Sequence, residues 1–235
     1  MKLEICANSY QSAINAEKAG AHRIELCSEL AVGGITPSYG LLKKVMNVIQ
    51  IPVHVLIRPR SGDFTYTEAE FEIMKEDIKI CKELGVSGIV SGVLHKDNTV
   101  DYKKTSELIE LSKPLCFTFH RAFDCVPNPI ETLKKLSDIG VQTILTSGQQ
   151  QKAENGLLLL EELQKIAGNE LTILVGGGIN PNNVHSFKKI GLREVHGSAS
   201  KVIQTTNNHS YFGKTSQTVS DLETIKQLLN AIKNA

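Results

Sequence analysis

One pattern recurs along this chain: a polar helical segment ends in glycine, and a short run rich in β-forming residues follows it. A glycine placed after a helix adopts the left-handed conformation that turns the chain back. Repetition of helix, glycine and strand predicts alternating α and β elements packed around a parallel sheet. The glycines in these positions are Gly20, Gly85, Gly140, Gly168 and Gly191.

Eight strands are predicted from the β-rich runs. They begin near Leu3, Arg23, Val53, Gly88, Leu115, Thr143, Thr172 and Glu194. Eight strands in 235 residues correspond to about one βα unit per 29 residues, the spacing of a (β/α)8 barrel. The predicted fold class is therefore an α/β TIM barrel. A doubly wound sheet is the alternative, but it usually has fewer strands and leaves two edges to cover.

Capping signals indicate where several helices begin. Thr or Asn stands directly before a proline at three places, and proline is favoured at the first helical position. Two further places have the spacing of a capping box. The pairs are Thr36-Pro37, Asn128-Pro129 and Asn180-Pro181, and the boxes are Thr67 with Glu70 and Ser220 with Glu223.

No change of composition marks a second domain, so residues 1–235 are interpreted as a single TIM-barrel domain. The segment 201–218 is polar and rich in Ser, Thr and Asn, and we predict a long loop there that lies over the barrel mouth. The mouth is the end where the C-termini of the strands meet, and barrels place their functional residues at that end.

Charge and composition argue against several classes of partner. The net charge is +1 and aromatic residues make up 5% of the chain, which gives neither a basic patch nor a stacking platform for nucleic acid. No segment approaches the roughly 18 apolar residues of a membrane-spanning helix, so no membrane partner is expected. Five cysteines without regular spacing indicate reduced thiols and a cytoplasmic location.

Strand alternation predicts charged side chains inside the barrel, because successive residues of a strand face opposite sides. An ordinary barrel fills this space with branched apolar side chains, and burying charge is costly unless it is paired. Two interpretations are open: an ion network that only fixes the register, or one that positions groups for a ligand. We expect Glu25 and Arg58 to pair below the mouth. The inward set is Glu4, Glu25, Glu194, Arg23, Arg58, His54, His120 and His196.

Cys6 and Cys27 end the first two predicted strands and face inward on neighbouring strands. Adjacent strands lie about 4.8 Å apart, so both sulfurs are within reach of one ion. A pair of thiolates suits a soft metal, above all Cu(I). The alternative is that two small buried cysteines simply fill space. Cys125, in the loop after strand five, is a third thiol that this topology brings towards the mouth.

Glycine-rich turns follow the last two strands. Gly176, Gly177 and Gly178 follow strand seven, and Gly197 and Ser198 follow strand eight. Barrels frequently hold phosphate between these two loops, because glycines let backbone amide groups approach an anion closely. The alternative is a pair of tight turns with no ligand.

Strand five ends in His120 and Arg121, with Asp124 close behind. A histidine beside an arginine and a carboxylate suits acid–base catalysis or anion binding, and the alternative is a packed, hydrogen-bonded histidine. An enzyme acting on a small anionic or phosphorylated metabolite would use Glu25 and His120 as acid and base. Arg58 and Arg121 would then hold the anion.

Together these motifs resemble the CutC copper-homeostasis family over nearly the whole chain. The resemblance implies a cytoplasmic barrel, a homo-oligomer (dimer or tetramer), and Cu(I) bound by thiols at the ends of strands one and two, which are Cys6 and Cys27 here. It favours a copper-homeostasis function, with an enzyme of unassigned activity as the alternative. The segments that carry it include Leu3-Glu4-Ile5-Cys6, Arg23-Ile24-Glu25-Leu26-Cys27, Gly33-Gly34-Ile35-Thr36-Pro37-Ser38, Ile57-Arg58-Pro59-Arg60, Gly62-Asp63-Phe64 and Phe119-His120-Arg121-Ala122-Phe123-Asp124.

Overall fold

Eight parallel strands form a closed barrel at the centre of the protein, in a computed structural model that describes residues 1–205 and 216–234. The strands pair in chain order, and β8 pairs with β1 to close the barrel. The predicted TIM barrel is confirmed, and every predicted strand start lies within one residue of the observed one. The strands are β1 (Lys2–Ala7), β2 (Arg23–Leu26), β3 (Val53–Leu56), β4 (Gly88–Ser91), β5 (Cys116–Phe119), β6 (Thr143–Thr146), β7 (Thr172–Gly176) and β8 (Glu194–Gly197).

A helix follows each barrel strand and packs on its outer side. The helices are α1 (Tyr10–Ala19), α2 (Tyr39–Met46), α3 (Glu68–Glu83), α4 (Tyr102–Ser112), α5 (Pro129–Asp138), α6 (Leu157–Ala167), α7 (Val184–Lys189) and α8 (Leu222–Asn234). All five glycines of the sequence repeat have positive φ values. At the first of them, Gly20 with φ 92°, the backbone N–H donates to the carbonyls of Ala16 and Glu17 and ends α1. Each such glycine turns the chain from a helix into the next strand.

The predicted start positions are confirmed at two helices. Thr67 and Glu70 form the expected capping box at the start of α3, and Asn128 precedes the proline that begins α5. At α3 the Thr67 hydroxyl accepts from the N–H of Glu70, which has no partner within the helix. At α5 the Asn128 side chain makes no capping hydrogen bond, and Pro129 has no N–H that needs a partner.

Three other helix starts were predicted wrongly, because the expected capping groups have other partners or positions. Thr36 accepts a hydrogen bond from the backbone N–H of Arg58, and Ser38 caps α2 instead. Asn180 accepts from the N–H of Asn182 in a turn that precedes α7. Ser220 belongs to a strand, so the cap of α8 is Asp221, which accepts from the N–H of Thr224.

A two-stranded antiparallel hairpin stands between β8 and α8, built from β9 (Ser200–Thr205) and β10 (Ser216–Ser220). The sequence predicted a loop over 201–218, and that prediction is wrong for the strand residues. Their Val, Ile and Thr side chains favour extended backbone, which outweighs the polar composition. Residues 206–215 lie outside the described part of the chain. The hairpin meets the barrel near the end of β1, where Asn8 Nδ2 donates to Thr218 Oγ1 at 3.1 Å.

Apolar side chains fill the layer between strands and helices, and a different set lies inside the barrel. Buried residues such as Phe117, Phe119 and Val195 pack outward, as alternation predicts. Inside, the apolar cluster is small and consists of Cys6, Cys27, Leu56 and Val90. Among the described residues, no helix combines the length and the apolar character needed to cross a bilayer.

Candidate functional site

A network of charged side chains occupies the lower half of the barrel interior. Glu4 is paired in register with Arg23 on β2 and with His196 on β8. Its carboxylate accepts a hydrogen bond from Arg23 Nε and lies 2.7 Å from His196 Nδ1. Arg23 also donates to Glu194 Oε2 at 2.9 Å. The predicted inward-facing charges near the strand starts therefore largely satisfy one another.

The electrostatics of this network follow from burial and pairing. Burial alone would raise the pKa of Glu4, but the hydrogen bond with His196 and the charge of Arg23 hold that pKa well below its usual range. Burial lowers the pKa of His54 to about 4, since the carboxylate of Glu4 offsets it only in part. A Cβ at Gly88, the register partner of His54, would lie 2.6 Å from the imidazole ring. That position therefore requires glycine.

The two thiols and Glu25 form a cluster directly above this network. Cys6 Sγ lies 3.6 Å from Cys27 Sγ and 3.7 Å from Glu25 Oε1, and both cysteines are free of disulfide bonds. One ligand atom from each of the three residues lies within 4.8 Å of the others. The hydrogen bond with Cys27 and then burial raise the pKa of the Cys6 thiol, and burial raises the pKa of Glu25 to about 7. Buried thiols and a carboxylate this close can hold one soft metal ion.

A cavity of about 580 Å³ opens at the mouth above the cluster. Two predicted site residues do not line it. Cys27 is fully buried behind Cys6, and a Cβ at Gly176 would lie 2.8 Å from Leu145 Cδ1, so this glycine serves packing inside the barrel. Cys125 does reach the mouth. The predicted residues that line the cavity are Cys6, Glu25, Arg58, His120, Arg121, Cys125, Gly177, Gly178, Gly197 and Ser198.

Arg58 does not pair with Glu25, contrary to the sequence prediction. Its guanidinium donates from Nη1 to the carbonyls of Val32 at 2.9 Å and Gly34 at 2.8 Å, and from Nη2 to the carbonyl of Gly62 at 2.7 Å. Glu25 Oε2 has no hydrogen-bond partner in the described part of the chain. Arg58 lies two residues beyond the end of β3, where strand alternation no longer determines the direction of a side chain. Its guanidinium therefore binds carbonyls of the neighbouring loops instead of Glu25.

His120 is buried against Phe64, with 4.8 Å between the ring centroids. Its Nδ1 accepts a hydrogen bond from the N–H of Ala122 at 3.3 Å, which leaves the ring proton on Nε2. Burial, helped by the charge of Arg58, lowers the pKa of His120 to about 3. At neutral pH the ring is therefore an uncharged hydrogen-bond donor on the cavity wall. Phe64, which also packs 5.0 Å from the guanidinium of Arg58, was missed as a site residue, although it stands in the Gly62-Asp63-Phe64 segment.

Arg121 and Asp124 join the loop after β5 to the end of β6. Arg121 Nε donates to Asp124 Oδ2 at 2.8 Å, and Arg121 Nη2 donates to Ser147 Oγ at 2.8 Å. Asp124 also accepts from the backbone N–H groups of Ser147 and Gln149. The sequence places this carboxylate near His120, but it does not predict that Asp124 accepts several hydrogen bonds between the loops after β5 and β6. Arg121 is thus already engaged by the protein.

Fold and site together define a (β/α)8-barrel protein with two adjacent buried thiols and a carboxylate beneath a polar mouth. A model of the CutC family matches residues 1–201 of the chain. The chain belongs to the CutC family, which is named for copper homeostasis.

Individual relatives agree with this assignment. The CutC protein of Proteus mirabilis is 45% identical over 222 residues, which is 94% of this chain and 88% of the relative. The CutC protein of Salmonella typhimurium is 49% identical over 198 residues, covering 84% of this chain and 79% of the relative. The crystal structure of the CutC protein from Streptococcus agalactiae superposes with a TM-score of 0.80 at 33% identity, covering 84% of this chain and 98% of that one.

Proposed function

We propose that this protein binds Cu(I) through the thiolates of Cys6 and Cys27 and takes part in copper homeostasis. The observation that carries the proposal is the 3.6 Å separation of the two sulfur atoms on neighbouring strands. Thiolates prefer Cu(I) to hard ions such as Mg²⁺. Glu25 accepts a hydrogen bond from the Cys6 thiol, and a hard carboxylate oxygen is a poorer ligand for Cu(I) than sulfur. We therefore assign the two thiols as ligands and Glu25 as the group that positions Cys6.

Metal binding at this pair displaces protons. The pKa of Cys6 is raised by the hydrogen bond with Cys27 and by burial, so the thiol is protonated at neutral pH in the metal-free protein. Since only thiolates act as ligands, Cu(I) affinity increases with pH. The protonated Cys6 thiol carries no charge that the barrel interior must compensate, so the metal-free site can be preformed.

Two further parts of the proposal follow from the family resemblance. Reduced cysteines suit a cytoplasmic protein, where thiols are kept free to bind a soft metal. A homo-oligomer, a dimer or a tetramer, is expected in solution. Sedimentation of the purified protein measures the oligomeric state directly.

A competition titration against a Cu(I) chelator tests the thiol site. We expect Cys6→Ser and Cys27→Ser each to weaken binding at least about tenfold, since even partners that only hold a ligand contribute 10–100-fold to metal affinity. Cys116→Ser is the matched control, because Cys116 is exposed at the opposite end of the barrel. Cys125→Ser tests the additional thiol of the mouth. Copper binding of wild-type strength in the Cys6/Cys27 double variant would overturn the proposal.

One observation favours a second candidate, an enzyme acting on a small anionic metabolite. Glu25, with a pKa of about 7, suits acid–base work near neutral pH. His120, with a pKa of about 3, suits a hydrogen-bond donor better than an acid or base. In this candidate Arg121 lines the site, but its guanidinium is already bonded to Asp124 and is not free to hold the anion as the sequence predicted. Loss of turnover in Glu25→Gln, once a substrate is found, is its test.

A further inference from the structure

Arg58 places a positive charge at the mouth that no carboxylate of the described chain pairs with. The side chain is 5% exposed, and its Nη atoms are used by three backbone carbonyls. Nε has no hydrogen-bond partner in the described structure, and the nearby Asp63 pairs with Arg60 instead. A buried cation without a counter-charge is costly, so the cavity that Arg58 lines favours an anionic occupant.

His120 adds a second unsatisfied donor to the same cavity. The residue is 4% exposed, and its Nε2 has no hydrogen-bond partner among the described residues. Buried polar groups are nearly always hydrogen-bonded, so an orphan donor on a cavity wall points to a ligand atom that completes it. Because Nδ1 already accepts from Ala122, the free position presents a proton and matches an oxygen acceptor.

The turns after β7 and β8 supply backbone donors to the same space. Gly178 has φ +76°, and no described residue accepts a hydrogen bond from the N–H groups of Gly178 or Ser198. Both residues line the cavity, and Ser198 adds a hydroxyl group. Amide groups gathered in such turns bind phosphate without requiring a lysine.

We propose that the mouth cavity is a binding site for a small phosphate monoester. The phosphate group lies against the turns of Gly178 and Ser198, in the field of Arg58, and an oxygen of the remaining part accepts from His120 Nε2. The cavity, about 580 Å³, is within the size range of small-molecule sites. This ligand uses neither thiol, so the site is independent of the proposed copper binding.

Calorimetric and thermal titrations of the full chain test this site with three probes: inorganic phosphate, glycerol phosphate and acetate, each against sodium chloride of equal ionic strength. Wild type is expected to bind glycerol phosphate and inorganic phosphate and to gain thermal stability from both. Ser198→Asp, which adds negative charge at the cavity, should weaken both at least about tenfold. Ser200→Asp is the matched control, because it adds the same charge two residues away on the exposed side of the hairpin. His120→Phe should weaken glycerol phosphate and leave inorganic phosphate unchanged.

Each outcome decides the proposal. The proposal is overturned if wild type gains no more thermal stability from either phosphate than from chloride. This result needs no variant, so it holds even if Ser198→Asp misfolds. Stabilisation by acetate equal to that by phosphate would show a general carboxylate site and contradict the assignment to phosphate. The Cys27→Ser protein, which is altered at a buried thiol that does not line the cavity, should bind glycerol phosphate as wild type does, which separates this proposal from the copper site.

Discussion

At the scale of single residues, the mouth is shaped by side chains whose protonation differs from that of the free amino acid. His120 is enclosed by Phe64, Phe119 and the chain at Gly92, where a Cβ would lie 2.9 Å from the imidazole. Burial and the charge of Arg58 both disfavour the imidazolium. The residue is therefore a fixed neutral donor rather than a pH-dependent group.

We expect His120 not to titrate between pH 5 and pH 8. An NMR titration of ring-labelled histidine, with the His120→Phe spectrum used for assignment, measures this. The unfolded ring takes up its proton near pH 6.5, and the folded ring only near pH 3. Between those values the unfolded state binds more protons, so this contribution to stability is complete above about pH 6.5 and is lost as the pH falls towards 3. A midpoint above pH 6 would mean that water reaches the ring.

At this scale the sequence predicts which side of a strand a side chain lies on, but not which group that side chain contacts. Alternation places Glu4, Glu25 and His54 inside the barrel, and all three are buried there. The pairing of Glu25 with Arg58 was wrong, because a guanidinium just beyond a strand can reach loop carbonyls that no periodicity reveals. Proximity of the two sulfurs could be predicted, since both cysteines stand at the ends of adjacent strands.

At the scale of elements, Arg58 joins two loops of the mouth. It binds the carbonyls of Val32 and Gly34 in the loop after β2 and that of Gly62 in the loop after β3. Its own N–H donates to Thr36, just before α2. These contacts hold one wall of the cavity and explain why the planar, five-donor arginine side chain stands here.

Arg58→Lys should lower the free energy of unfolding by about 2–4 kcal/mol, because a lysine ammonium cannot reproduce the fork and each hydrogen bond from a charged group contributes about 1.5–3 kcal/mol. Denaturant unfolding monitored by fluorescence or circular dichroism measures the loss. Arg193→Lys is the control. Arg193 also donates to a backbone carbonyl, that of Gly168, but it is exposed, so a change below about 0.5 kcal/mol is expected. Equal losses in the two variants would mean that the Arg58 contacts do not hold the loops.

The helix ends and the hairpin show which features depend on local sequence and which depend on tertiary contacts. The box of Thr67 and Glu70 forms because both partners are local. Thr36 and Ser220 have the right spacing for caps, but Arg58 and the pairing of β10 use them instead. The partners of Thr36 and Ser220 are distant in sequence, and local spacing in a single sequence does not predict such contacts.

At the scale of the whole molecule, the barrel replaces part of its usual apolar interior with a charge network that locks strand register. Glu4 connects β1 to Arg23 of β2 and to His196 of β8, the strands on either side of the closure. The fold itself could be predicted because its signal is repeated along the chain, whereas the network depends on rotamers that alternation does not specify. Because Glu4 lies where β1 and β8 close the barrel, a substitution at this residue tests the contribution of the network most directly.

Glu4→Gln should therefore destabilise the protein by about 3–5 kcal/mol at pH 7, because it leaves half-buried Arg23 with an incomplete counter-charge and His196 without its carboxylate. Glu162→Gln is the matched control, since Glu162 is exposed on α6 and should change the melting temperature little. The pKa of Glu4 is held well below its ordinary value of 4.5, so its contribution is present above that pH and lost as the pH falls below it. The gap in melting temperature between wild type and Glu4→Gln should accordingly narrow from pH 7 to pH 3. A gap that stays constant over this range would mean that the loss comes from packing rather than from the carboxylate charge.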